Sequence, residues 1–343
     1  MDESTRHSRK VAKTLLVALL MLSGFALLVF QINFFLLLFA GIFFSVLLHH
    51  ASYWLSRKTK LTYGISLVIV LLLIGGSLAG MFLFIGPAVS EQLSDMFNTL
   101  PRSLQNLKEQ VTQTALGRKL FDELPDNPAD LIHDKRAALY RIAGSFSTTI
   151  GVFANLLIVI ITGIFLASDP ATYKTGFVRL FPMGLRPRIR QVLDQIHSTL
   201  SRWMLAKLLS MVVVGVSTAI GLQVLGIPLP YALALLAALF SFIPYLGPYL
   251  ALAPALLIAL MEGPDKALYV LILYFSIQIL ESYLITPLIE KKMVSLPPGL
   301  TIMWMVLFGS LTGILGLLLA TPILAAVIVI VRELYVKDYL EKT

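Results

Sequence analysis

Apolar runs of about twenty residues, the length a helix needs to cross the hydrocarbon core of a bilayer, recur along this chain. They run from Val11 to Phe30, Phe34 to His50, Thr62 to Pro87, Phe146 to Ala167, Leu205 to Leu225 and Ala267 to Ile289. Two further apolar segments, Leu229–Met261 and Leu300–Val331, are interrupted by glycine and proline. Lipid cannot satisfy a free backbone N–H or C=O, so such runs fold as helices. Only 13% of the residues are charged, against about 25% in soluble domains. The mean hydropathy is +0.85, which excludes a soluble fold. The sequence predicts an all-α integral membrane protein, a polytopic helix bundle with about eight transmembrane segments, two of them broken hairpins.

The two broken segments echo each other. Leu246-Gly247 aligns with Leu315-Gly316, and Pro254 with Pro322, with one residue of offset. The first segment carries the breakers Pro244, Gly247, Pro248 and Pro254, and the second carries Gly309, Gly313, Gly316 and Pro322. Proline removes a backbone donor and clashes with the preceding turn. Glycine lets backbone or solute approach closely. Paired breaks of this kind point to a substrate site in secondary transporters. The alternative is two kinked helices of similar composition, with Gly313 and Gly316 serving as small-residue packing contacts.

Charge sets the expected orientation. Lys and Arg cluster before Val11, in the Ser52–Leu61 loop, across 174–202, at Lys291 and Lys292, and at the C-terminus. All of these are cytoplasmic at once only if the first broken segment enters and leaves on the outer side and the second on the inner side. Each then reads as a re-entrant hairpin. The expected organisation is three spans over 1–87, an extracytoplasmic amphipathic helical segment over 88–145, and a fourth span over 146–168. A cytoplasmic interfacial linker follows over 169–204, then a transport core over 205–331 and a cytoplasmic tail over 332–343. The basic start reads as an uncleaved first span, since Gln31-Ile32-Asn33 leads straight into the next run. Ile189, Val192, Leu193, Ile196 and Leu200 form an apolar stripe beside Arg188 and Arg190, which suits the surface of an anionic leaflet or a plain connecting helix. The net charge of +8 follows these topology signals, so no nucleic-acid partner is expected. With no cysteine, disulfides and thiolate chemistry are excluded.

Several stretches resemble the autoinducer-2 exporter family of bacterial transporters. They are Phe242–Pro248, Leu280–Pro287, Leu296-Pro297-Pro298, Gly313–Gly316 and Ala320-Thr321-Pro322, together with Ser168-Asp169-Pro170 and Arg179–Pro182. The resemblance covers nearly the whole chain in the same order. It implies a bacterial inner-membrane protein, a homo-oligomer, that exports a small signal molecule or another polar solute. Some members of that family are described as sodium(lithium)/proton antiporters, so membership does not fix the solute.

Glu281 is the first candidate for chemistry. A carboxylate inside a span costs about 2.5–3.5 kcal/mol on insertion scales and usually marks an ion or proton path. Tyr274, Gln278, Glu281, Ser282 and Ile285 fall at i, i+4, i+7, i+8 and i+11, which makes one mostly polar stripe on an apolar helix. It reads as a proton or sodium coupling site, or as an interhelical bonding stripe. Asn155, midway in the fourth span, reads as a bonding partner between helices or a path residue. Pro287 ends its span. His49 and His50 sit at a span end, and Tyr53, Trp54 and Tyr63 read as an aromatic belt. There is no His-Glu-x-x-His, P-loop or Gly-x-Ser-x-Gly motif, so neither an enzyme nor a cofactor or metal site is expected. A rival of another class is a non-transporting scaffold that binds a partner through 88–145.

Overall fold

The computed structural model describes residues 30–84, 135–285 and 296–341, with isolated positions 23, 26 and 87. The first expected span, most of the 88–145 segment, Pro287, Lys291 and Lys292 lie outside the described residues.

The described chain is helical throughout. The helices are α1 (Ile32–Thr59), α2 (Tyr63–Phe84), α3 (Lys135–Ser168), α4 (Pro170–Arg179), α5 (Arg186–Val224), α6 (Pro230–Phe240), α7 (Gly247–Glu262), α8 (Pro264–Leu280), α9 (Pro298–Thr312) and α10 (Ile314–Ile330). Wider π-type turns continue α8 over Glu281–Ile285 and α10 over Val331–Leu340. Three stretches are long and apolar enough to cross a membrane: Ile32–Thr59, Met183–Val224 and Ile314–Leu340. A fourth pair, Phe153–Ser168 with Pro170–Arg179, is bent by 88°. The bend falls at Asp169, whose side chain caps α4 by accepting from the Thr172 N–H at 3.1 Å.

The order of packing follows from residue size and breaker placement. α1 packs against α2 and α3. Gly41 and Gly163 face each other's helices there, and a methyl group at either would collide with Thr162 or Phe44. Small residues let membrane helices approach this closely. α5 is the hub, in contact with α1, α4, α6, α8 and α10. It runs unbroken from the interfacial stripe into the apolar span, whereas the sequence divides at residue 204. The reason is that no glycine or proline stands between Pro187 and Gly215. In the same way α3 begins at Lys135, upstream of the expected start at Phe146.

Both broken segments are helical hairpins. α6 and α7 pack on each other across a turn at residues 241–246, and α9 and α10 pack on each other across Gly313 alone. Gly313 has φ 67° and ψ −142°, a backbone shape that L side chains rarely adopt. Pro254 and Pro322 mark neither turn: they lie inside α7 and α10. A proline inside a helix loses one donor, which a packed neighbour compensates without the chain reversing.

Candidate functional site

The first hairpin starts and ends at one end of α5. At its start the Tyr231 hydroxyl donates to Gln223 Oε1 at 2.7 Å, and just beyond its end Lys266 Nζ donates to the Gly226 carbonyl at 3.2 Å. The arms are short. At 1.5 Å per residue α6 spans about 16 Å and α7 about 24 Å, less than the roughly 30 Å of a hydrocarbon core. The turn between them satisfies its own backbone: Ile243, Leu246 and Gly247 donate to Phe240, Pro244 and Ile243 carbonyls at 2.9, 2.7 and 3.0 Å. Gly247 is buried, and any side chain there would strike the Phe240 carbonyl. Tyr245, an exposed non-glycine, holds φ at 62°. That is a strained value for a bulky residue.

The tip of this hairpin reaches the second one. Ile243 is buried in one cluster with Met305 of α9 and Ala320 of α10. Phe242 meets Trp203 of α5 edge-on, with ring centroids 5.6 Å apart, and Leu315 and Leu319 of α10 belong to the same cluster as Trp203. Two helical hairpins therefore interlock against one face of α5.

One turn along that face is the site. Trp203, Lys207, Ser210 and Val214 fall at i, i+4, i+7 and i+11, so they share one side of α5. Lys207 Nζ lies 3.4 Å from Glu281 Oε1, and Ser210 Oγ donates to the same oxygen. Both charged side chains are largely buried, at 13% and 10% exposure. Glu281 sits where α8 widens into its π-type turn. Such turns are rare and concentrate at functional sites.

The expected polar stripe on α8 divides in two. Tyr274 and Glu281, seven residues apart, are buried, and Val214 and Tyr274 share the core between α5 and its neighbours. Gln278 and Ser282 lie to one side of that line, where Gln278 Nε2 donates to Ser282 Oγ at 3.1 Å on an exposed flank. Ile285 closes the π-type turn. α8 runs antiparallel to α5, since Leu273 packs at Gly221 and Glu281 at Ser210. That register sets Tyr274 about level with Thr218. Among the described residues, no protein group bonds the buried hydroxyl of either one. A polar seam thus runs from Lys207, Ser210 and Glu281 to Thr218 and Tyr274.

Asn155 does not join it. It is exposed on α3, a helix packed on α1, α2 and α4. Of the remaining expectations, Tyr53 and Trp54 are exposed, at 48% and 59%, as an aromatic belt requires. Tyr63 is engaged instead: its hydroxyl donates to the Ala167 carbonyl and lies 3.0 Å from His49 Nδ1. Sequence reasoning missed Lys207 and Ser210. The available signal was a lone lysine just inside an apolar run, because an intramembrane charge calls for a partner. The seam brings one carboxylate, one ammonium group and three hydroxyls together between α5 and α8. Among the described residues no cluster of three or more metal-ligating side chains occurs.

Residues 15–336 match the family described as AI-2E family transporter. YueF of Bacillus subtilis, described as a transport protein, is 27% identical over 310 residues, covering 85% of this chain and 84% of YueF. YrrI of the same organism, also described as a transport protein, is 27% identical over 300 residues, covering 84% of this chain and 83% of its own. PerM of Escherichia coli, described as a permease, is 24% identical over 239 residues, covering 69% of this chain and 65% of PerM. The chain belongs to the AI-2E transporter family: it is a bacterial membrane protein of the transporter and permease type.

Proposed function

We propose that this family member is a secondary transporter that exports a small polar solute of the signal-molecule type across the inner membrane. Eight apolar segments then cross or enter the bilayer, with both termini cytoplasmic. The observation that carries this reading is the meeting of two helical hairpins on the face of α5 that also holds the Lys207–Glu281 pair. The arms of the first hairpin are shorter than the hydrocarbon core, which leaves its tip residues within the bilayer, where a transporter binds its cargo. Tyr245 and Leu246 form the exposed part of the first tip. The buried, unbonded hydroxyls of Thr218 and Tyr274 offer the cargo or water a second polar station.

The ion pair favours coupling to a proton or sodium gradient, and with it the sodium(lithium)/proton antiporter as second reading. A carboxylate shared between Lys207 and Ser210 can exchange a lysine contact for a proton or a cation at little cost in position. Exposed Phe153, Asn155, Leu156 and Leu157 on α3 suit contact with a second copy, in line with a homo-oligomer.

Because the natural chain has no cysteine, single cysteines report cleanly. Leu246→Cys in liposomes should react with a membrane-impermeant thiol reagent from one side, and addition of transported solute should change the rate. A tip that stays unreactive from both sides, with or without solute, contradicts a water-lined path. Equal flux of candidate solutes into protein-bearing and empty liposomes contradicts transport altogether and leaves the scaffold reading.

A further inference from the structure

Away from the Glu281 seam, a cavity of about 180 Å³ lies between α5 and the charged end of α10. Gln195, Ser198, Thr199 and Arg202 line it from α5, and Arg332 and Glu333 line it from the continuation of α10. The four α5 residues stand at i, i+3, i+4 and i+7, one face of a helix. The lining is rich in donors: two guanidinium groups, two hydroxyls and a carboxamide. Its one carboxylate, Glu333, is already engaged, with Arg188 Nη2 at 2.9 Å and Lys337 Nζ at 2.6 Å. Cationic groups therefore outnumber carboxylates along the lining, two to one.

Its surroundings select the kind of anion. α10 is apolar from Ile314 to Ile330, and the cavity spans the end of that run, with Val329 as its apolar wall beside Arg332 and Glu333. Ile330 and Val331 beside Arg332, and Leu205 beside Arg202, are exposed apolar side chains. A ligand seated here meets cations at one end and a lipid-facing apolar flank at the other. A soluble phosphate ester satisfies only the first.

We propose that this cavity binds the phosphate group of an anionic phospholipid. Arg202 and Arg332 clasp the phosphate oxygens, since the planar guanidinium fork matches phosphate geometry. Ser198, Thr199 and Gln195 donate to the remaining oxygens. The acyl chains lie along Leu205 and the Ile330–Val331 flank. Such basic pockets between membrane helices are suited to lipid headgroups on the cytoplasmic face.

The test is lipid retention by the full-length protein, purified in a neutral detergent and read by native mass spectrometry. Phosphatidylglycerol should be retained about ten-fold more than phosphatidylcholine, and Arg202→Gln with Arg332→Gln should abolish the difference. Arg202→Lys with Arg332→Lys keeps the charge and should restore part of it. Ser198→Leu fills the cavity without changing charge, so it carries the test if the glutamine variant fails to fold. It too should release the lipid. Inorganic phosphate and glycerol phosphate at millimolar concentration should not displace phosphatidylglycerol, and displacement by either reassigns the site to soluble phosphate esters. Equal retention of the two lipids by the natural protein overturns the proposal. So does phosphatidylglycerol retention that survives Ser198→Leu.

Discussion

Lys207 and Glu281 pair at 3.4 Å in a largely buried setting beside the Ser210 hydroxyl, whereas Arg188, about 28 Å earlier on the same helix, sits in a web of charges. Arg188 contacts Asp338 at 2.7 Å, Glu333 at 2.9 Å and the Glu333 carbonyl at 2.7 Å, and Lys337 closes the web from the far side of Glu333. The web ties the start of α5 to the end of the chain. Arg188 and Glu333, at its centre, each have more than one charged partner, so losing one contact leaves the others in place. At the inner pair, Lys207 and Glu281 are both largely buried, so a change in either charge is little screened by water. The web is a clamp, and the buried pair is the one to which the proposed function assigns a response.

The sharpest way to break the contrast is Glu281→Gln. It leaves Lys207 buried without a counter-charge, and a broken buried pair costs about 3–5 kcal/mol. Thermal unfolding in detergent should show the loss. Exchanging the two charges, Lys207→Glu with Glu281→Lys, should recover most of that stability without recovering transport. If the swap restores both, the pair is structural and the contrast fails.

Arg188→Gln should cost less, about 2–3 kcal/mol, because charge-assisted hydrogen bonds are lost but Glu333 keeps Lys337. Transport by the surviving folded protein should stay near the natural level. A larger loss of transport than with Glu281→Gln reverses the assignment of roles.

The clamp should also answer to pH in a definite direction. The Lys337 hydrogen bond, with Arg188 adding to it, holds the Glu333 carboxyl below its ordinary value of 4.5. A lowered folded value means that the stabilisation is fully present above 4.5 and is lost as pH falls through the lower folded value. Unfolding midpoints should therefore drop in that acid window in the natural protein and drop less in Glu333→Gln. An identical acid profile in the two proteins contradicts the assignment.

The smallest effect belongs to Lys174 and Asp194, an ion pair whose carboxylate is 63% exposed. Asp194→Asn should cost less than about 1 kcal/mol, vanishing in high salt. Equal costs at all three pairs would mean that burial is not what distinguishes them.

The parts of this architecture legible in the sequence are the local ones. Apolar runs announce helices because lipid leaves the backbone no other choice, and the Ile243–Pro248 stretch announces the first turn, whereas the second has four candidate breakers, Gly309, Gly313, Gly316 and Pro322, of which only Gly313 makes it. The prolines misled for the same local reason. Pro254 and Pro322 look like breaks but are absorbed in α7 and α10, since the consequence of one missing donor depends on what packs beside it. At residue 204 one helix runs on unbroken, because hydropathy changes there while helix propensity does not. Lys207 was beyond reach of periodicity: its partner lies 74 residues away, and only the antiparallel packing of α8 on α5 joins them. The separation of Gln278 and Ser282 from the Tyr274–Glu281 line follows from the width of the stripe, of which one edge alone faces α5.

The most direct test of the account is ion flux in liposomes containing the purified protein, with proton and sodium gradients imposed in turn, for the natural chain and Glu281→Gln reconstituted at matched folded amounts. The account predicts gradient-driven flux whose pH dependence disappears in Glu281→Gln, with a loss of about ten-fold or more, the scale expected for removing a charged group from a coupling site, while Arg188→Gln retains it. Natural flux and an unchanged pH profile in Glu281→Gln would contradict it.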